Sequence, residues 1–254
     1  MLETQIKKDL LNVKTYSSRK EMGEAAAKDF AALVQRLLET KESIRVIFAA
    51  APSQNEFLEA VCADTEIDFS RIEAFHMDEY IGLHKQAPQR FGNFLKRQIF
   101  DRCNFKSVSY IDGQSLRPEQ ECERYTALLT EHPIDIVCMG IGENGHIAFN
   151  DPDVADFNDV QKVKTVALDN VCRQQQVNDG CFMTLDDVPK TAVTLTIPML
   201  MNAEFHLCIV PAKTKAQAVQ NTLLGEISAS CPASVLRKAK NAVLYLDLDS
   251  GSLI

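Results

Sequence analysis

Apolar and polar positions along this chain follow two rhythms. Over residues 19–41, Met22, Ala25, Ala26, Phe30, Leu33, Leu37 and Leu38 recur every three or four positions, the spacing of one face of an amphipathic helix. Residues 44–50 form a short, mostly apolar run with β-branched side chains, the pattern of a strand buried on both faces. Pro52-Ser53-Gln54-Asn55-Glu56 follows; Ser53 and Glu56 have capping-box spacing, which predicts a helix reaching about residue 63. Further strands are expected at 72–77, 134–140, 192–196, 205–210 and 241–247, and further helices at 91–100 and 214–224.

Strands that alternate with helices predict an α/β fold with a mostly parallel sheet and helices on both faces. No Pro/Gly/Ser-rich linker, internal repeat or low-complexity tract interrupts the chain, so residues 1–254 read as one domain. In open sheets of this kind ligands bind beyond the carboxyl ends of the strands. Three polar segments are expected there: 51–55, 78–80 and 140–151.

Composition narrows the function classes. The chain is 46% apolar and 24% charged, the balance of an ordinary globular protein, and no apolar run nears the roughly 20 residues that span a bilayer. The net charge of −8 argues against nucleic acid as a partner, but one or two local cations and helix N–H groups still suffice for a phosphorylated metabolite. None of the eight cysteines forms a CxxC pair; they read as free thiols serving as small core hydrophobes in a reducing compartment, and with no export signal the expected location is the cytoplasm.

Four segments carry candidate chemistry. Residues 139–152, Met-Gly-Ile-Gly-Glu-Asn-Gly-His-Ile-Ala-Phe-Asn-Asp-Pro, follow a strand and set His146 among three glycines, with Asp151 near enough in sequence to orient the imidazole. A tight turn with a backbone-bonded histidine fits the same residue types. The acids of Met77-Asp78-Glu79-Tyr80 suit a general base, a metal ligand or a helix cap. Residues 48–54, Phe-Ala-Ala-Ala-Pro-Ser-Gln, run from a strand into a helix N-terminus, where small residues admit an anion or simply make a connection. Pro211-Ala212-Lys213-Thr214-Lys215 places a lysine in a similar position, for phosphate or for solvent. No histidine–cysteine spacing typical of a metal site is present.

Together the 75–83 run (Phe-His-Met-Asp-Glu-Tyr-Ile-Gly-Leu) and the 140–152 run resemble the motifs of the glucosamine-6-phosphate deaminase (isomerase) family, with the 188–194 and Lys215 segments at family-like distances. The resemblance covers about residues 20 to 247. It implies a Rossmann-like fold of the sugar-phosphate isomerase type and conversion of an amino-sugar 6-phosphate to a ketose 6-phosphate with release of ammonia. It implies that His146 assists ring opening, that Asp78 moves a proton between C2 and C1, and that Asp151 and Asn144 stand behind the histidine. It implies that the substrate is bound by Ala50, Ala51, Ser53, Gly142 and Lys215, with Arg173 as a second phosphate cation. No cofactor or metal is expected, and a homo-oligomer is among the assemblies the resemblance leaves open. The chain departs from the family in three places. Its phosphate loop has alanines for glycines, its carboxylate at 151 is one methylene shorter than the usual glutamate, and Arg173-Gln174-Gln175-Gln176 stands where an Arg-Phe-Phe neighbourhood is usual.

Two other readings compete. A lactone hydrolase of the 6-phosphogluconolactonase type would carry a different run after the histidine and would not need Asp78. A non-catalytic sugar-phosphate sensor would usually add a DNA-binding helix pair, for which the roughly 20 residues before the first helix are too few.

Overall fold

The computed structural model describes residues 1–254. The chain opens with β1 (Leu2–Lys8), exposed along most of its length, which pairs antiparallel with β2 (Leu11–Tyr16). Ser18 accepts a hydrogen bond from the Glu21 N–H and caps α1 (Arg19–Leu38), whose Met22, Ala26, Phe30, Val34 and Leu37 are buried as the apolar spacing requires. There follow β3 (Ile44–Phe48), α2 (Asn55–Ala63), β4 (Ile72–His76), β5 (Asp78–Tyr80) and α3 (Phe91–Leu95), which runs on as a π turn to Phe100. Next come β6 (Ser107–Ser109), α4 (Pro118–Thr130), β7 (Ile136–Met139), β8 (Val163–Ala167) and α5 (Asn170–Asn178). The chain closes with β9 (Thr191–Leu195), α6 (Ile197–Met201), β10 (Phe205–Val210), α7 (Ala216–Leu224) and β11 (Ala242–Asp247).

The main sheet has eight strands in the order β1-β2-β11-β10-β7-β3-β4-β6, and every pairing but β1–β2 is parallel. Successive strand residues point to opposite faces. In β3, Val46 and Phe48 join a core of 35 buried residues with α1 and α2, while Ile47 joins one of 34 on the other face with α6 and α7. Near-equal cores leave neither face to solvent, as a parallel sheet requires. From β3 the chain builds outward through β4 and β6, then returns to lay β7, β10 and β11 on the other side. The strand order therefore switches between β3 and β7, where α/β sheets form their ligand crevice.

Some sequence expectations need correcting. The strand at 192–196 is not in the main sheet: β9 centres a separate antiparallel sheet, β5-β9-β8. Ser53 and Glu56 form no capping box. Residues Pro52–Gln54 make a 3-10 turn without a side-chain cap, and Glu56 pairs instead with Arg19 at 2.7 Å. The cysteines are not uniformly core residues, since Cys62, Cys103 and Cys181 are only half-buried.

The approach of α1 to α2 depends on Gly23, where a β-carbon would lie 2.6 Å from the Glu56 Cβ and 2.9 Å from the Phe57 nitrogen. Gly23→Ala must push α2 away and should cost about 1–3 kcal/mol, the usual range for overpacking. Chemical denaturation would show this as a lower midpoint at unchanged slope. An unaltered midpoint would mean that the helices separate freely.

Candidate active site

The carboxyl ends of β3, β4, β7 and β10 converge on one open cleft. It is lined by Ala50, Ala51 and Ser53 from the turn into α2, by Asp78, by Gly142 and His146, and by Lys215. Sequence positions expected to share a site are thus brought together, and each is placed by its own local structure.

Asp78 stands where the chain leaves the main sheet. β4 ends at His76, the Met77 carbonyl accepts the Leu195 N–H at 2.8 Å, and Asp78 opposite Thr194 begins the small sheet. His76 fixes this crossing. Its Nε2 accepts the Ile111 N–H at 2.9 Å, so the ring proton sits on Nδ1 and is donated to the Asp78 carbonyl, also at 2.9 Å. Burial lowers the His76 pKa to about 4, which keeps the ring neutral. Tyr125 Oη accepts the His76 N–H and donates to its carbonyl. Glu79 turns away from the cleft; it accepts the N–H groups of Tyr80, Phe91 and Gly92 and lies 3.5 Å from Arg90. The Asp78 carboxylate has no protein donor. Burial first, and the charge of Glu79 second, push its pKa well above the ordinary carboxylate range. A carboxylate in that state is a strong base held beside Met77, Phe91 and Phe149, the two rings stacked at 5.4 Å.

His146 rides on a loop tied down at several points. Gly145, at φ +85°, accepts the Ala233 N–H, Asn150 donates to Ile147 and Leu195 carbonyls, and Thr194 Oγ1 accepts the Phe149 N–H. A β-carbon on Gly142 would sit 2.1 Å from the imidazole, so only glycine lets the ring fold back over the turn. His146 Nδ1 lies 2.7 Å from Asn144 Oδ1 and 3.0 Å from Asp151 Oδ1. Both are acceptors, so Nδ1 carries the proton and Nε2 is left as the base. Asn144 Nδ2 donates to Asp151 at 3.0 Å and to Asp169 at 3.1 Å. The shorter carboxylate at 151 therefore reaches the imidazole, with Asn144 bonded to both partners. Burial works to raise the Asp151 pKa, but bonding to His146, and then to Asn144, lowers it overall.

Lys215 is buried, and its ammonium has no hydrogen-bond partner. Burial lowers its pKa. Its approach turn is strained: Ala212 has φ 81° and ψ 147°, a region that strongly favours glycine, and the buried Asp247 carboxylate holds the Ala212 N–H at 3.0 Å. Arg173 is a correction. It does not line the cleft; its guanidinium donates to the carbonyls of Leu185 and Val188 and to Asn170 Oδ1. Lys215 is the only cation lining the cleft.

The sequence reading missed several contributors. Gln54 donates to Ser53 Oγ and to the Ile209 carbonyl, which ties the turn into α2 to β10. Gln175 accepts the Glu143 N–H at 2.8 Å, and Gln176 lines the same wall. Cys172, distant in sequence, joins His146 and Asp151, with ligand atoms all within 4.8 Å. Those three could hold a metal ion, although the imidazole and carboxylate are already engaged with each other and with Asn144.

A buried lysine without a counter-ion, a strand-to-helix turn of small residues, an imidazole with a fixed tautomer and an isolated carboxylate thus share one cleft of an α/β fold. Residues 17–245 match the family model described as glucosamine-6-phosphate isomerases/6-phosphogluconolactonase, and the chain belongs to that family. It is 32% identical over 230 residues to glucosamine-6-phosphate deaminase of Listeria welshimeri, covering 91% of this chain and 96% of that one. Identity is also 32% over 243 residues to the deaminase of Bacillus cereus strain B4264, covering 96% and 89%. Among solved structures, a monomeric glucosamine-6-phosphate deaminase superposes with TM-score 0.87 at 26% identity, covering 95% of this chain and 99% of that one. The 6-phosphogluconolactonase of Thermotoga maritima, at TM-score 0.75, 20% identity and 92% and 98% coverage, shares the fold.

Two stability predictions follow from the unpaired charges. Folding depresses the Lys215 pKa, so its charged form is penalised at neutral pH; Lys215→Met should raise the melting temperature of the ligand-free protein and abolish any rise given by inorganic phosphate. A variant that phosphate stabilises as well as it does wild type would place the anion elsewhere. Folding raises the Asp78 pKa above its ordinary 3.8, so this group costs stability increasingly as pH climbs from there to the folded value, and the full cost stands above it. Asp78→Asn should therefore be more stable than wild type at neutral pH, with the gain vanishing on acidification below 3.8. Calorimetry across pH would detect a constant difference if burial were not the cause.

Proposed function

We propose that this chain is an enzyme that isomerises and deaminates an amino-sugar 6-phosphate, converting glucosamine 6-phosphate and water to fructose 6-phosphate and ammonia. One observation carries the reading: the cleft holds two bases of different character, the unpartnered Asp78 carboxylate and the His146 imidazole with Nε2 free, beside an unpaired lysine. The reaction needs two bases in two places. The names of the relatives at 32% identity support the same chemistry.

In this mechanism the turn at Ala50–Ser53 and Lys215 hold the phosphate. His146, oriented by Asn144 and Asp151, moves the hydroxyl proton to the ring oxygen and opens the ring. Asp78 then takes the C2 proton and returns it at C1 through an enol-type intermediate, and the resulting C2 imine adds water and expels ammonia. A carboxylate with a raised pKa is the stronger base for a carbon acid. Lactone hydrolysis would require only one base to activate water and would leave Asp78 without a task. No step calls for a metal or a nicotinamide. Residues 1–254 are read as one catalytic domain acting in the cytoplasm; no helix is long and apolar enough to cross a membrane.

Purified protein should release ammonia and fructose 6-phosphate from glucosamine 6-phosphate, and exhaustive chelation should leave the rate unchanged. Galactosamine 6-phosphate and the phosphogluconolactone, assayed in parallel, separate the competing substrates. Asp78→Asn should abolish exchange of the C2 proton with solvent while binding persists. His146→Gln should lose most activity on the closed ring and retain some on an open-chain substrate. Each loss should be about 100- to 10,000-fold, the range for acid–base groups. Wild-type exchange in Asp78→Asn would remove that residue as the base. Equal impairment of His146→Gln on both substrate forms would remove the histidine from ring opening.

A further inference from the structure

Two cysteines outside the cleft meet across the fold. Cys62 is in the last turn of α2, and Cys103 lies just beyond the π turn that continues α3; 41 positions separate them, yet their sulfurs are 3.1 Å apart. Both are half-buried, so a small reagent can reach them. Arg102 stands beside the pair, its guanidinium held by both oxygens of Glu59 at 2.6 and 3.0 Å. No other two cysteines make such a contact, and five of the remaining six are buried.

We propose that Cys62 and Cys103 are a disulfide-forming site, oxidised by exchange with a small disulfide such as oxidised glutathione, and that the bond staples α2 to the segment that carries Phe91. The sulfurs need close by only about 1 Å to reach bonding distance. The roles of the two thiols are unequal. The hydrogen bond between the two thiols lowers the Cys62 pKa and raises that of Cys103; Arg102 assists at Cys62, while burial and Glu59 oppose. The Cys62 thiolate therefore attacks one sulfur of the small disulfide, breaking its S–S bond and expelling one thiolate. Cys103 then loses its proton to solvent and attacks the Cys62 sulfur, releasing the second small thiol. Two protein thiols are oxidised and one small disulfide is reduced to two thiols.

The bond would tie together the far ends of two cleft walls. α2 begins at the turn that holds Ala51 and Ser53, and α3 begins at Phe91, which lines the cleft near Asp78. Cys62 Sγ already lies 3.5 Å from the Gln98 carbonyl in the intervening π turn.

The test is treatment of the full-length folded protein with oxidised glutathione, followed by non-reducing peptide mapping and thermal melting. The expected product is a Cys62–Cys103 linked peptide, lighter by two hydrogens and reversed by dithiothreitol. A disulfide closing a loop of this size should raise the melting temperature by roughly 5–12 °C. Cys62→Ser and Cys103→Ser should each lose the linked peptide and the shift; Cys181→Ser, which removes an unpaired half-buried thiol, should keep both. A stable glutathione adduct on Cys62 without the linked peptide would overturn the pairing. A linked peptide without a thermal shift would overturn the staple.

Discussion

The site depends on one constraint: a carboxylate must stay in a place where nearly nothing stabilises its charge. Asp78 is buried, lacks a protein donor and feels the repulsion of Glu79. Left to itself, such a group would turn toward water or toward the nearest N–H. The backbone prevents this. The strand handover at Met77 fixes the direction of the side chain, with antiparallel pairing to β9 on one side and the His76–Ile111–Tyr125 bonds on the other. The neighbouring acid receives the opposite treatment, with three backbone N–H groups and Arg90. Two adjacent acids thus differ entirely in environment, and only the first faces the cleft.

The same logic extends to Lys215. Its ammonium is held without a partner by a strained turn, and that turn is held by Asp247. Core burial on both faces of the sheet offsets the cost of these two charges, because the carboxyl ends of the strands remain rigid under local strain. His146 is different. All three of its constraints (Asn144, Asp151 and the Gly142 turn) are satisfied, so it is oriented without being destabilised. A fixed tautomer leaves one imidazole nitrogen open to accept a proton, whereas poor solvation makes a carboxylate more basic.

The legibility of these features in the sequence followed the range of the interactions that make them. α1, β3, β7 and β10 are written in local periodicity and were readable. Asp78, His146 and Lys215 lie at strand ends inside recognisable motifs, so their convergence followed from the rule for open sheets. What stayed hidden was decided at long range. β1 is an exposed edge with little apolar alternation, and β9 has the pattern of a main-sheet strand although its partners are β5 and β8. Arg173 has the right charge in the right region, but carbonyls at 185 and 188 capture its guanidinium. Cys172 and Gln176 had no signal, because nothing near them marks which face of α5 meets the cleft.

The departures at 49–51 and at 175–176 line the same cleft. Alanine side chains at 49–51 cover backbone that glycines would leave open, and no arginine lines the cleft to add a second charge. Lys215 is therefore the one cation that an anion entering the cleft would meet, and its attraction is stronger the less water surrounds it. Gln175 and Gln176 on the same wall are neutral amides, which offer hydrogen bonds without adding charge. A cation in their place would repel the Lys215 ammonium. Neutral amides leave the single lysine unpaired and add no like charge to its cleft.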